Sequence, residues 1–278
     1  MILIDGKKIQ KDILEEVRAG VAALDFQPVF CDILVGDDPA SAQYVRMKAR
    51  MAESVGMRFH GASFPASITT EELLKEISKI NEIPDMCGII VQLPLPEGID
   101  RRRALDSIDP ALDVDCLGTE AGSLFYAGKE VLGFPTALAC VKLLDSIGVP
   151  LSGKNIVVLG QGELVGKPVA ALLGFRGLSY TTVRSKTENR EEIIKNADVI
   201  ISGIGKGKFL TGDMVKDGVI LIDAGTSESD SGIVGDIDLE SVKEKAGYVS
   251  PVPGGVGPVT VAMLLFNVLK VAQRKAKK

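Results

Sequence analysis

The chain has 278 residues, long enough for two domains or one large one. With 46% hydrophobic and 25% charged residues it has the composition of a folded globular protein, not a disordered one. A net charge of −5 argues against nucleic-acid binding, and the basic runs DRRRALD and QRKAKK read as solvated surface.

The opening MILIDGKKIQKD lacks the apolar core and cleavage site of a secretory signal, so a cytoplasmic protein is expected. The longest apolar run, VTVAMLLFNVLKV, is too short for a bilayer and is broken by Asn267 and Lys270. Cys31, Cys87, Cys116 and Cys140 form no CxxC pair, so reduced thiols are expected, with no metal site and no disulfide scaffold. His60 is the single histidine. A multi-histidine metal site is therefore not expected, and a Ser–His–Asp relay would rest on His60 alone. Hydride transfer needs neither.

Helical and strand-like periods alternate along the chain. Residues 7–24 read as an amphipathic helix, and PVFCDILVG as a strand. In the next helix Tyr44, Met47, Met51 and Val55 form an apolar stripe, with Gln43, Arg46, Arg50 and Glu53 on the other half. Lys48 lies about 40° from Tyr44, inside that stripe. Either its stem follows the stripe edge while the ammonium reaches water, or it faces a pocket with the tyrosine. A strand near MRFHGASF, a helix at TTEELLKEISKIN and a buried strand CGIIVQLPLP ending at Pro94 come next. Helical patterns around 101–107 and 136–147 complete a first series that predicts a parallel, doubly wound sheet.

Gln92 closes the buried strand at its carboxyl end, where open α/β sheets hold ligands; it equally fits a polar residue that merely stops the strand. Asp113 and Asp115 share one face if their segment is extended, and beside DP and LG they also fit turn formers. A pocket carboxylate there would suit a paired N–H donor edge such as that of a pterin. Cys116 has no basic neighbour in sequence and reads as inert packing.

A second series opens at GKNIVVLGQGELVGKPVAALL, a strand, glycine turn and helix. Gly160, Gly162 and Gly166 follow the strand in a GxGxxxG spacing, which suits a pyrophosphate at a helix N-terminus. The following strand ends in VRSKT, where Arg184, Ser185 and Lys186 stand in place of the acid of an NAD site, favouring a 2′-phosphate and hence NADP. ADVIISGIG and GVILIDAG supply further strands. SPVPGGVGP reads as irregular, leading to a last helix from about Val259. The break between domains falls in the helical region before Pro150.

VGDDPASAQYVRMKA, VQLPLP, DVD, GQGELVGKP, RSKT and PVPGGVGPVT together resemble the bifunctional methylenetetrahydrofolate dehydrogenase/cyclohydrolase family over nearly the whole chain. The resemblance implies an N-terminal α/β substrate domain (1–136 with 256–278), a Rossmann-like doubly wound NADP domain (137–255) and a cleft between them. It implies a homodimer acting in one-carbon metabolism and supplying purine biosynthesis. Lys48 would be the main catalytic side chain, Tyr44 would stack on the folate, Gln92 would pair with Lys48, and Asp115 would hold the pterin. Leu93, Pro253, Gly254 and Gly255 would line the substrate. Gly160, Gln161, Gly162, Leu164, Val165, Arg184, Ser185 and Thr226 would hold NADP, and no metal is implied.

Four positions depart from the family pattern: Cys116 for a glycine, GQG in the glycine turn, Arg184 for a histidine, and FPTA for a Pro-Cys-Thr-Pro segment.

The implied reactions are oxidation of 5,10-methylene-tetrahydrofolate to the methenyl form and hydrolysis of that form to 10-formyl-tetrahydrofolate. Nitrogen lone pairs stabilise the cation left by hydride departure, so oxidation needs alignment more than a base. Hydrolysis needs proton management. An apolar stripe and a cationic substrate would both make the lysine easier to deprotonate, which favours the pocket-facing reading of Lys48. The rival readings are another two-domain NADP dehydrogenase, for a hydroxy acid of the shikimate type, and a non-catalytic nucleotide or folate binder.

Overall fold

The computed structural model describes residues 1–129, 132–229 and 232–277. The chain opens with β1 (Ile2–Leu3) and α1 (Gly6–Ala22), then β2 (Val29–Val35), α2 (Pro39–Ser54), β3 (Arg58–Phe64), α3 (Thr70–Asn81) and β4 (Met86–Val91). Helices α4 (Arg101–Asp106), α5 (Thr119–Tyr126) and α6 (Pro135–Ser146) follow. Next come β5 (Ile156–Leu159), α7 (Gly166–Phe175), β6 (Tyr180–Val183), α8 (Arg190–Lys195), β7 (Val199–Ser202) and β8 (Val219–Asp223). The hairpin β9 (Ser227–Ser229) and β10 (Gly232–Val234) precedes α9 (Leu239–Val242), β11 (Ala246–Val249) and α10 (Val256–Lys275).

Two compact α/β units result. One comprises Asp12–Gly133 and Leu264–Lys278, of which Lys278 lies outside the described residues. Its sheet has the order β3-β2-β4, all parallel. Every residue of β2 is buried, as expected for the middle strand of a parallel sheet covered on both faces. The chain leaves β2 for β3 on one side and returns to β4 on the other, so the carboxyl end of β2 is a switch point open to ligands. Local chemistry starts the helices here. Asp38 caps α2 through Ser41 N, with Pro39 at the first helical position, and Thr69 and Glu72 form a capping box on α3.

The other unit comprises Met1–Lys11 and Phe134–Met263. Its parallel sheet has the order β1-β11-β8-β7-β5-β6, with a switch point between β5 and β7. Ile2 and Leu3 pair with Tyr248 and Val249 of β11. That pairing puts the first eleven residues with this unit, whereas the sequence reading grouped 1–136 with 256–278. Helix α10 starts at Val256, three residues before the expected Val259. Pro258 sits in its first turn, where a helix has no use for the missing N–H.

By length and composition α10 could cross a bilayer, but two thirds of its apolar window is buried inside the protein. Asn267 in its middle is fully buried and donates to the carbonyls of Val114 and Gly133. Those bonds mark a core helix.

Candidate active site

In the three-stranded unit the buried face of α2 runs through Ser41, Lys48 and Ala52. This corrects the expected stripe in part: Val55 is buried and Met51 half-buried, but Tyr44 and Met47 are 45% and 37% exposed, while Lys48 is only 7% exposed. Small residues at 41 and 52 let the helix lie close to the sheet. The lysine between them finds polar partners there. Gln43, Arg46, Arg50 and Glu53 are exposed, as their side of the wheel requires.

Lys48 Nζ donates to Gln92 Oε1 at 2.7 Å and lies 2.7 Å from Asp32 Oδ2. Gln92 follows β4 directly, where its backbone N–H donates to Ile33 O and its side-chain amide to Leu93 O. Those bonds fix which end of the amide meets the ammonium. An ammonium has three donors; Gln92 takes one and the Asp32 carboxylate lies against it in an ion pair, so at least one donor remains for a ligand. Lys48 therefore does not simply reach for water.

Sequence reasoning missed Asp32. It lies in the middle of β2, fully buried, and its signal was a single acid within VFCDILV. Burial pushes its carboxyl up, against the downward pull of Lys48. The pocket is thus not simply apolar, as the stripe suggested, because an anion sits beneath the lysine.

The DVD segment is a turn, not an extended stretch, and the two acids divide the two readings between them. Asp113 is buried and accepts from the backbone N–H groups of Asp115 and Gly118, so it builds the turn. Asp115, half-buried, carries the electrostatic link to Lys48, Asp32 and Asp113. Desolvation raises its carboxyl to about 7, with Lys48 lowering it and the two neighbouring acids adding to the rise. Cys116 is buried at φ 59°, in the left-handed region that glycine adopts most easily. Cys87 and Cys140 have thiols pushed up by burial to about 11 and 12, which suits packing rather than nucleophilic chemistry.

In the six-stranded unit a cavity of about 740 Å³ opens at the carboxyl ends of β5, β6 and β7. Gly160, Gln161, Gly162, Arg184 and Ser185 line it as expected. Lys167, Arg190 and Lys206 line it too and were not anticipated. Sheet order brings them together from three separate loops and helix starts. Among the described residues no acidic side chain lines the cavity, and Lys167, Arg184, Arg190 and Lys206 face whatever enters. Gly160 has φ 88°, and a Cβ on Gly166 would stand 2.2 Å from Gly160 O. The turn and the first residue of α7 are therefore in backbone contact. Val165 caps α7 without a side-chain acceptor; Lys167 N–H donates to Gly162 O and Pro168 has no N–H, so the Gly166 N–H is what the first turn can offer an anion.

Buried Asp236 shapes the far wall by accepting from Ser202 Oγ and from the backbone of Ile204 and Lys206. Leu164, Val165 and Thr226 are not among the residues lining the cavity. Pro253, Gly254 and Gly255 lie in this unit, in the turn before α10, whereas Tyr44, Lys48, Gln92, Leu93 and Asp115 lie in the three-stranded unit.

Two family profiles match the chain. "Tetrahydrofolate dehydrogenase/cyclohydrolase, catalytic domain" covers residues 4–115, and the "NAD(P)-binding domain" of the same family covers 135–276. The bifunctional protein FolD of a Nitratiruptor species is 42% identical over the full length of both chains. The crystal structure of the bifunctional dehydrogenase/cyclohydrolase of Campylobacter jejuni superposes with TM-score 0.95 at 38% identity, covering 99% of each chain. The Trypanosoma brucei dehydrogenase-cyclohydrolase, solved with NADP cofactor and an inhibitor, gives 0.93 at 35% identity over 100% of this chain and 99% of that one. Shikimate dehydrogenase of Aquifex aeolicus gives only 0.55 at 17% identity, covering 91% and 98%, and shares the fold alone.

Proposed function

The chain belongs to the tetrahydrofolate dehydrogenase/cyclohydrolase family, and from that premise we propose how its residues divide the work. The enzyme oxidises 5,10-methylene-tetrahydrofolate with NADP and hydrolyses the methenyl product to 10-formyl-tetrahydrofolate. The three-stranded unit handles the folate and the six-stranded unit holds the cofactor. The observation that carries the reading is Lys48, buried and hydrogen-bonded to Gln92 with at least one donor left over.

NADP, when bound, would supply the hydride acceptor. Gly160, Gln161 and Gly162 would hold its pyrophosphate, and Arg184 and Ser185 its 2′-phosphate, a reading supported by the four cations and the lack of acids among the described lining residues. Leu164, Val165 and Thr226 have weaker support, since the cavity does not reach them. Removing Arg184 as Arg184→Ala should weaken NADP by about tenfold or more, the scale of one charge-assisted bond, and NAD by less than twofold. Titration with both cofactors checks this; equal losses would detach Arg184 from the 2′-phosphate.

Exposed Tyr44 offers a ring for stacking one helical turn from Lys48, and Leu93 sits beside Gln92 at the strand end. Lys48 manages protons during hydrolysis, and Gln92 orients it. Asp115 accepts from the pterin N–H edge. Because its carboxyl titrates near 7, and only the ionised form accepts both donors, affinity for a folate analogue should rise with pH through about 7 and then level off. Asp115→Ala should lose that pH dependence and about 1.5–3 kcal/mol of binding. Calorimetric titration from pH 6 to pH 8 is the experiment. Unchanged affinity in the variant would refute the pterin assignment.

On the family resemblance the protein is read as a cytoplasmic homodimer that feeds purine biosynthesis. Its four buried thiols fit a reducing compartment.

A further inference from the structure

We infer that Asp32 is a positioning residue that acts through Lys48, anchoring its ammonium from beneath and accepting its proton when the cationic substrate is bound. The inference rests on the hydrolytic role of Lys48 proposed above.

The contrast with the other buried acids carries it. Asp113 accepts from two backbone N–H groups, Asp223 from those of Gly225, Asp236 and Ile237, and Asp236 from two N–H groups and a hydroxyl. Each is satisfied as a structural carboxylate should be. Asp32 is different. Its Oδ2 lies 2.7 Å from Lys48 Nζ in an ion pair, and neither of its oxygens has a hydrogen-bond partner of regular geometry among the described residues. The backbone cannot help, because β2 pairs with strands on both sides. A buried ion pair of this kind adds little stability over well-packed apolar residues, so it points to a use in the site.

The polar and titratable groups coupled to the pair come from four places among the described residues. Lys48 comes from α2, Gln92 from the end of β4, Asp115 and Asp113 from the adjoining turn, and Cys31 from β2 itself. When methenyl-tetrahydrofolate binds, its positive charge disfavours an ammonium beside it. Moving one proton from Lys48 Nζ to Asp32 breaks an N–H bond, forms an O–H bond and carries positive charge away from the substrate. Burial already favours the protonated form of Asp32.

The amine then takes a proton from water as the water oxygen bonds to the bridge carbon. Lys48 returns that proton to N5 as the carbon–N5 bond breaks. The remaining hydroxyl proton leaves for solvent, and as the neutral product departs the proton on Asp32 returns to Lys48 Nζ, so one proton is released per turnover and the ion pair is restored.

The test is the pH profile of methenyl hydrolysis in Asp32→Asn, with methylene oxidation measured alongside. In the wild type a neutral amine forms within the pair, so activity persists until a second proton is bound. Without Asp32 the amine must lose its proton to bulk solvent. The acid limb should move up by more than one pH unit, hydrolysis near pH 7 should fall by ~10-fold or more, and both should recover at alkaline pH. Oxidation should change less than threefold.

A mere counter-ion would have the opposite effect, because its removal favours the neutral amine and moves the limb down. An unmoved or lowered limb, or parallel losses in both reactions, overturns the inference. If Asp32→Asn does not fold, Asp32→Leu fills the space without a charge and is held to the same expectations. A wild-type enzyme that oxidises methylene-tetrahydrofolate but does not hydrolyse the methenyl form overturns the proposed role of Lys48, and this inference with it.

Discussion

In Lys48→Met, hydrolysis of methenyl-tetrahydrofolate is expected to fall by about 10²–10⁴-fold, the range of general acid–base catalysis. Methionine keeps the length and apolar bulk of the lysine stem, so α2 can still lie on the sheet. It removes the proposed proton carrier, the ammonium that donates to Gln92 at 2.7 Å. It also strands Asp32, which among the described residues has that ammonium alone to offset its full burial. Removing one partner of a buried pair costs about 3–5 kcal/mol, equivalent to a melting temperature lower by roughly 10 °C.

The double variant Lys48→Met/Asp32→Leu separates the two effects. It should regain stability and remain defective in hydrolysis. Oxidation depends on alignment and should decline less than hydrolysis. Methenyl formation and methenyl hydrolysis, followed separately with a melting curve, check all three expectations. Near-normal hydrolysis in a folded Lys48→Met variant would make the lysine structural.

In Gly166→Ala, NADP affinity is expected to drop by about 100-fold or more, with oxidation lost and hydrolysis retained. A Cβ at this position would stand 2.2 Å from Gly160 O and 2.7 Å from the Gly160 carbonyl carbon. Backbone cannot step aside as a flexible side chain would. The turn between β5 and α7 must open, and it is this turn that, in the proposed reading, would bring backbone N–H to the pyrophosphate. A loss of about 2.7 kcal/mol corresponds to the 100-fold figure. Hydrolysis consumes water and no nicotinamide, so it reports whether the folate side survives. Cofactor titration of the variant is the measurement, and unchanged NADP affinity would show that the glycine turn does not cradle the cofactor.

The contrast between these two sites explains how much the sequence reveals. The glycine turn is local: strand, turn and helix are consecutive, and Gly160, Gly162 and Gly166 declare the close approach by residue type. Strands such as VFCDILV and IVVL, and helices such as 70–81 with its capping box, are legible for the same reason. The cavity's other cations are not. Lys206 meets Arg184 only because β7 and β6 flank β5, and Lys167 and Arg190 join them from the starts of α7 and α8, an arrangement that no local pattern encodes. The pairing of β1 with β11 is hidden similarly, since the partners are 246 positions apart.

At Lys48 the helical period located the residue but gave the wrong neighbours. Hydrophobicity alone favoured Tyr44, Met47 and Met51, whereas the buried face follows the small residues Ser41 and Ala52. Size, not polarity, determined how the helix turned. Asp32 was concealed by its surroundings, because an acid inside an apolar strand looks anomalous until its partner on another element is known. The DVD turn shows a third limit. Spacing could not assign one acid to the backbone and the other to the site; hydrogen-bond geometry did.

The central claim is that one chain oxidises methylene-tetrahydrofolate with NADP and hydrolyses the product. A single spectrophotometric assay with purified protein, offering methylene-tetrahydrofolate or a hydroxy acid of the shikimate type with either nicotinamide cofactor, tests it most directly. The account predicts reduction of NADP with methylene-tetrahydrofolate, a transient rise of the methenyl form, its decay to 10-formyl-tetrahydrofolate, and no reaction with the hydroxy acid. Oxidation of the hydroxy acid with no turnover of the folate would contradict it.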